Sequence, residues 1–467
     1  MLSYEILDWL VLIYFLLLNG AYIIMNVLAF FNINKYNQKS QINELKKIYR
    51  TRFYKPISVL VPAYNEEKTI ISNVRSLLTL DYPEYEVVII NDGSKDNTLA
   101  LLQQAFQLVT APQSIRKSLP SQPIKDIYIS KTEPRMIVVD KYNGGKADAL
   151  NAGINTASFP LFCTVDSDSL LEKDCLLKVV RPFTEDLSTV AVGGIVRIAN
   201  GCKIENDQII EALVPKNWWA RFQVVEYFRA FLFGRMGWDA LDSLLIVSGA
   251  FGLFRKKAVI DAGGYLEGTV GEDMELVVRL HRFMREKKKK YRITFVPDPV
   301  CWTEVPEDLS ILARQRARWQ KGMAETLWKH KAMLFNPRYG WIGMFAFPYF
   351  LLFELFGSVI EVAGFFFLLW TWWAGLVNWH FALLFFMVAV ILGIVLSLSS
   401  IVLEELFFHR YLGWRQVMTL AWFAVLENFF YRQMHSLWRL KGLIQFMTGN
   451  HSWGEMNRKG FNHGHPV

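Results

Sequence analysis

Two patterns of hydrophobic and polar positions divide this chain. Short aliphatic and β-branched runs stand at 57–61, 86–90, 136–139 and 160–165, each followed by a polar loop. The stretches between them carry apolar residues at helical spacing, which predicts helices over 69–80 and 97–108 and from Lys146 through Gly153. Strands alternating with helices of this length predict an α/β domain with a mainly parallel sheet. Ligands on such sheets bind beyond the carboxyl ends of the strands, where the four polar loops fall. Residues 111–126, rich in Ser, Pro, Gln and Lys without periodicity, read as a surface loop.

The second pattern is continuous hydrophobicity. Residues 9–31, 345–373 and 379–407 are nearly free of charge and long enough to cross a bilayer. A fourth run, 417–431, is shorter and contains Glu427. No Lys or Arg precedes the first run and no small-residue cleavage pattern follows it, so it reads as a retained anchor rather than a signal peptide. Lys35, Lys46, Lys47, Arg50 and Arg52 follow directly, which places the large polar domain in the cytoplasm. His409, Arg410 and Arg415 mark the inside again after the third run. A spanning fourth segment would export Arg432, Arg439, Lys441, Arg458 and Lys459, so a re-entrant or interfacial segment with a cytoplasmic tail is expected. The resulting boundaries are an anchor over 1–34, a cytoplasmic domain over 35–330 ending in an interfacial helix, membrane and interfacial helices over 331–440, and a basic tail over 441–467.

A formal net charge of +8 raises the question of nucleic acid. The basic residues cluster beside the apolar runs and form no nucleic-acid module, so anionic lipid headgroups account for them and no nucleic-acid partner is expected. Lys287 to Lys290 reads as a solvated turn. Cys163, Cys175, Cys202 and Cys301 show no CxxC spacing and are expected to be reduced packing thiols. Glu354 and Glu361, seven apart, and Glu404 and Glu405 lie within hydrophobic runs, where carboxylates line a wet path or make interhelical hydrogen bonds.

The loops carry the candidate chemistry. Asp166-Ser167-Asp168 ends an apolar strand, and paired carboxylates suit hard Mg²⁺ or Mn²⁺ shared with phosphate oxygens. Taken alone, two such aspartates are more often solvated turn residues. Asp92-Gly93 has the composition of a type I′ turn, although a strand-to-helix connection has no hairpin to make. Lys146, after Gly144-Gly145 and at a helix start, suits an anion, with an exposed helix-starting lysine as the alternative. Glu272, Asp273 and Glu275 open a helical pattern, where acids also complement the macrodipole. In Gln315-Arg316-Ala317-Arg318-Trp319, Gln315 and Trp319 share a helical face with Arg318 beside them. An aromatic ring stacks on a sugar, and Arg and Gln reach phosphate and hydroxyl oxygens. A membrane-surface amphipathic helix would by itself explain Arg314, Arg316 and Lys321.

Over residues 55–330 these motifs, in order, resemble the membrane-integrated family 2 glycosyltransferases, the group of cellulose, hyaluronan, chitin and poly-N-acetylglucosamine synthases. The resemblance implies a GT-A-type α/β nucleotide-sugar domain with a mixed, mainly parallel sheet, joined to transmembrane helices. It assigns Asp166 and Asp168 to a Mg²⁺ or Mn²⁺ ion on the donor diphosphate, with Ser167 between them. Ala63, Tyr64, Glu66 and Asp92 would border the nucleoside, Asp92 facing the base, and Lys146 would contact phosphate. Asp273 would be the catalytic base with Glu272 orienting it. Gly249, in Ser248-Gly249-Ala250-Phe251-Gly252, would wall the acceptor side, and Gln315, Arg318 and Trp319 would hold donor phosphates and the acceptor end. Residues 198–245 match no family motif; they read as an acceptor platform or a membrane-contact element. The tail 453–461 lacks a gating-loop signature.

The implied activity is inverting, metal-dependent transfer of a sugar from a nucleotide diphosphate, UDP first among them, to a growing polysaccharide. The implied partners are a nucleotide-sugar donor, a carbohydrate acceptor, a lipid bilayer and a second protomer or auxiliary subunit to enclose a channel. The alternatives are single addition to a lipid acceptor, and a transporter or assembly scaffold carrying an inactive transferase domain.

Overall fold

The computed structural model describes residues 2–42, 54–111, 117–205, 208–411 and 413–449. Lys46, Lys47, Arg50, Arg52, Arg458, Lys459 and the tail 453–461 lie outside the described residues. The chain forms two compact units, one of Asn37–Glu211 and Leu244–Glu304, the other of Met1–Tyr36, Ala212–Ser243 and Val305–Met456.

The first unit is built on strands β1 Ile57–Ala63, β2 Tyr85–Asn91, β3 Leu108–Thr110, β4 Ile124–Ser130, β5 Met136–Lys141, β6 Leu161–Val165, β7 Ser169–Leu171, β8 Thr189–Ile198, β9 Lys203–Glu205, β10 Gln208–Glu211, β11 Phe251–Arg255 and β12 Arg292–Thr303. Ten form one mixed sheet in the order β3-β4-β5-β2-β1-β6-β11-β8-β12-β7, while β9 and β10 pair with each other. The central run β5-β2-β1-β6 is parallel. Its strands read as unbroken apolar runs because both faces are covered: β2, β5 and β6 are buried throughout. Helix Ile70–Leu78 buries Ile70, Asn73, Val74 and Leu77, one face at helical spacing. Helix Lys146–Thr156 is buried along almost its whole length, and its small residues let it lie close to the sheet. A Cβ at Gly153 would come within 2.9 Å of the Ile90 side chain.

Register decides where the loops go. Ala63 pairs with Asn91 and Asn91 with Asp140, while Leu60 pairs with Thr164, so β1, β2, β5 and β6 end at one edge. β11 is antiparallel to β6, with Phe251 opposite Val165, and so begins at that same edge. The reading of 111–126 as loop needs one correction: β4 begins at Ile124, because Ile124, Asp126 and Ile127 pair with β5. The Lys287–Lys290 turn is exposed as expected, and among the described cysteines Cys163, Cys175 and Cys301 are buried free thiols.

The second unit is helical. Trp9–Lys39, Ile342–Trp373 and Trp379–Phe407 are three helices long and apolar enough to cross a membrane. Large side chains on them face outward: Phe31 is 63% exposed, Phe366 60% and Leu383 59%. Residues 212–243 and 305–330, which the linear boundaries assign to the catalytic domain, belong to this unit. Trp218 contacts Phe423, Trp219 contacts Phe430, and Trp238 contacts Tyr349 and Phe350. Thus the unassigned stretch 198–245 is partly strand, β9 and β10, and partly a packed helix. Of the expected re-entrant or interfacial segment, the re-entrant form is corrected. Trp414–Leu426, a π-helical turn at Glu427–Tyr431 and Arg432–Met447 form one continuous helix with no chain reversal.

The acids within and beside these apolar helices are held by neighbouring helices. Glu354 accepts from Tyr22 Oη at 3.0 Å and meets Arg439 at 3.4 Å, and Glu361 accepts from Ser436. Glu405 pairs with His409, and Glu404 is buried. Of the two readings of these carboxylates, interhelical hydrogen bonding is the one observed for Glu354 and Glu361.

Candidate active site

The first two loops clasp each other at the carboxyl edge of the sheet. Asn65, in the left-handed region at φ 56°, donates its N–H to Ser94 Oγ at 3.0 Å, and its own Oδ1 accepts from Lys95 N at 2.8 Å. Glu66 N donates to Thr98 Oγ1 at 2.9 Å and Glu67 N to Asp96 Oδ2 at 3.1 Å. Tyr64 is left 44% exposed and Ala63 buried, its carbonyl taking Asp92 N at 2.9 Å. Glu66 reaches across to the acidic motif: Ser167 Oγ donates to Glu66 Oε1 at 2.9 Å, while Thr69 holds the other carboxylate oxygen at 2.7 Å.

Asp92 faces into the protein. Its carboxylate accepts from Gly144 N at 3.0 Å and Gly145 N at 2.8 Å and pairs with Lys141. The expected base-facing aspartate is therefore engaged on both oxygens in holding the loop before Lys146.

Lys146, Asp166, Glu272, Asp273 and Gly249 are brought together. Lys146 Nζ lies 2.6 Å from Asp166 Oδ1 and 3.5 Å from Glu272 Oε1. Asp273 spans two elements: Oδ1 accepts from Met274 N at 2.8 Å and Oδ2 from Gly249 N at 3.0 Å. Acids in the first turn of helix Glu272–Glu286 therefore do complement its amides, while one of them also binds the chain entering β11. Glu275 is diverted to structure, fully buried against Arg279 at 3.0 Å.

Electrostatics follow from this crowding. Burial opposes the charge on Lys146, but Asp166, Glu272 and Asp273 outweigh it and hold the ammonium above the ordinary lysine range. Burial pushes Glu272 upward; Lys146 opposes the shift and Asp273 adds to it. Tyr265, which sequence reasoning missed, is buried, and burial together with Glu272 and Asp273 keeps its phenol protonated. Asn151 fixes its backbone on both sides, at 2.9 and 2.8 Å. Only the glycines at 263 and 264 could have drawn attention to it.

Among the described residues no group of three or more His, Cys, Asp or Glu side chains forms a metal cage. Asp166, partly exposed, and Asp168, buried, offer hard oxygen donors at the end of β6. Two carboxylates fit a divalent ion that takes its remaining ligands from phosphate and water.

Gln315 and Trp319 lie in the helical unit, on helix Leu309–Lys329. Between them, Arg316 corrects the surface-charge reading. It is 1% exposed, donates to Glu226 Oε2 at 2.9 Å, and lies 4.2 Å from the Trp319 ring. Tyr431 Oη also donates to Glu226, at 2.9 Å, and Phe231 packs 5.9 Å from Trp319. Trp319 is thus braced on two sides, with Arg318 and Gln315 partly exposed.

Comparison with known proteins identifies the family. Glycosyl transferase family 2 matches residues 58–262, and Glycosyl transferase family group 2 matches residues 161–426, more than half of the chain. The chain belongs to the family 2 glycosyltransferases. It is 30% identical over 271 residues to poly-beta-1,6-N-acetyl-D-glucosamine synthase of Staphylococcus epidermidis, covering 58% of this chain and 55% of that one. To the enzyme of the same name from Staphylococcus aureus strain COL it is 32% identical over 274 residues, with the same coverage. The chain spans about half the length of these curated relatives. The mannosyltransferase PcManGT from Pyrobaculum calidifontis, solved with GDP-Man and Mn²⁺, shares the fold at a TM-score of 0.50 and 16% identity, covering 93% of this chain and all of that one. The α/β unit is accordingly a GT-A-type domain, and the chain is a family 2 transferase homologous to N-acetylglucosamine polymer synthases.

Proposed function

We propose that this transferase adds sugar from a UDP-linked N-acetylhexosamine to a growing polysaccharide at a membrane, by a single inverting displacement. The observation that carries this reading is the convergence of Lys146, Asp166, Glu272 and Asp273 at the carboxyl edge of the sheet. That the staphylococcal relatives are poly-beta-1,6-N-acetyl-D-glucosamine synthases supports the choice of sugar and polymer.

Asp166 and Asp168 would hold Mg²⁺ or Mn²⁺, which when bound neutralises charge on the departing diphosphate. Lys146 adds a fixed cation beside them. Tyr64 and Glu66 border the nucleoside, and Asp92 supports that side by holding its loop. Asp273 takes the proton of the acceptor hydroxyl as its oxygen bonds to the anomeric carbon; the bond to the diphosphate breaks and its electron pair leaves with UDP. Glu272, held by Lys146, keeps the helix start in place. Gln315, Arg318 and Trp319 keep the acceptor and phosphate roles that the family motif gives them. The three apolar helices support a bilayer location, and Lys35 and Lys39 at the end of the first support a cytoplasmic catalytic unit.

Detergent-purified protein supplied with Mn²⁺ and a panel of radiolabelled nucleotide sugars tests the reading. A ladder of long, organic-insoluble products from UDP-N-acetylglucosamine is expected. A single organic-extractable product would point to a lipid acceptor instead, and transfer only from a different sugar would overturn the donor assignment.

A further inference from the structure

The turn that carries Lys146 is clamped from beneath by a buried cation that no catalytic role accounts for. Lys141, the last residue of β5, has 0% of its side chain exposed, and its ammonium pairs with Asp92 and Asp148 together. It also donates to the Tyr142 carbonyl at 2.6 Å. Asp148 is equally buried, and its Oδ1 accepts from Gln122 N at 2.7 Å. Asp92 in turn holds the Gly144 and Gly145 amides, and its carbonyl accepts from Asn143 Nδ2 at 2.8 Å.

The packing leaves no clearance. A Cβ on Gly144 would stand 2.4 Å from Asp148 Oδ2, and Gly145 adopts φ +87°, a conformation that favours glycine. Two buried carboxylates side by side repel unless a proton or a cation compensates them, and here the Lys141 ammonium pairs with both. Lys141 therefore sets the distance between Asp92 and Asp148, Asp92 sets the two amides, and the amides set where the helix bearing Lys146 begins. Were burial the only requirement, apolar residues would fill this space as well as an ion pair does. What the charges add is direction.

We propose that Lys141 is a positioning residue for donor binding, acting through Asp92 and the Gly144-Gly145 turn on Lys146. This rests on the reading that Lys146 contacts the donor diphosphate. Lys141→Met alone would leave two buried carboxylates facing each other, so Lys141→Met/Asp148→Asn, which keeps the net charge of the cluster, carries the test. Lys146→Met serves as the reference.

The KM for UDP-N-acetylglucosamine with Mn²⁺, kcat, and equilibrium binding of UDP would be measured on detergent-purified proteins. The double variant is expected to show a KM raised roughly tenfold or more, with kcat changed less, since misplacement of about an ångström in a supporting group is enough for such an effect. Wild-type KM and UDP affinity in the double variant would overturn the proposal, leaving Lys141 as mere compensation for Asp148. Unchanged donor affinity in Lys146→Met would instead remove the reading beneath it. Hydrogen exchange on the wild-type protein gives a check independent of any variant: the Gly144 and Gly145 amides are expected to be protected before nucleotide is added, and exchange at free-loop rates would contradict the clamp.

Discussion

Asp92, Lys141 and Arg316 show what a residue's neighbours in sequence reveal and what they conceal. Asp92 was legible as part of a strand-to-helix loop, yet the direction of its carboxylate depends on Gly144 and Gly145, some fifty positions away. Lys141 ends an apolar strand and reads locally as an ordinary solvated charge. Its burial follows from Asp92 on a neighbouring loop and Asp148 on the next helix. Arg316 lies two positions from exposed Arg314, on the opposite side of the helix, where it meets Glu226. The clamp also makes a simple steric prediction. Gly144→Ala brings a methyl group against the buried Asp148 carboxylate and is expected to lower both the thermal unfolding midpoint and UDP affinity, measured on the same preparation. Unchanged values for both would show that the turn has room to spare.

At the level of elements, the parallel strands were readable because burial on both faces makes them uniformly apolar, and the common edge of the site follows from their register. Helix packing was less readable. The residues that fasten 218–240 to its neighbours are aromatic and charged side chains whose partners lie far along the chain, as with Glu226 and Tyr431. Arg316→Met leaves Glu226 without its guanidinium partner and is expected to cost about 3–5 kcal/mol, with Arg316→Met/Glu226→Gln recovering most of it in thermal unfolding.

Helix Glu272–Glu286 carries a pH-sensitive contact of its own. His281 is buried, with its ring nitrogens 2.8 Å from the Leu244 carbonyl and from Tyr291 Oη. Burial brings its pKa down from 6.5 to about 4, with the Leu244 carbonyl opposing the shift and Arg285 adding to it. Between those two values the unfolded chain holds a proton that the native protein refuses, so stability present above pH 6.5 falls as pH drops towards 4. The full effect is about 3 kcal/mol. His281→Gln is expected to flatten this part of the stability profile, and a profile that kept its slope would assign the effect to other groups.

For the whole molecule, the family resemblance anticipated a GT-A-type unit and hydropathy anticipated three membrane-length helices, while the compact units join segments that are distant in sequence. Helices 218–240 and 309–329 join the helical unit because their apolar and aromatic faces find partners there. Orientation is testable by labelling: a cysteine introduced at exposed Lys288 in a Cys202→Ser background is expected to react with impermeant maleimide in inverted vesicles and to be protected in intact cells. The reverse pattern would place the catalytic unit outside.

The most direct test of the central claim compares wild-type protein with Asp273→Asn, measuring UDP-N-acetylglucosamine binding and polymer formation side by side in the presence of Mn²⁺. Donor binding is expected to be retained while polymer formation falls by roughly 10²–10⁴-fold, the span of a lost general base. Polymer made at the wild-type rate by Asp273→Asn would contradict the assignment of the displacement to this carboxylate.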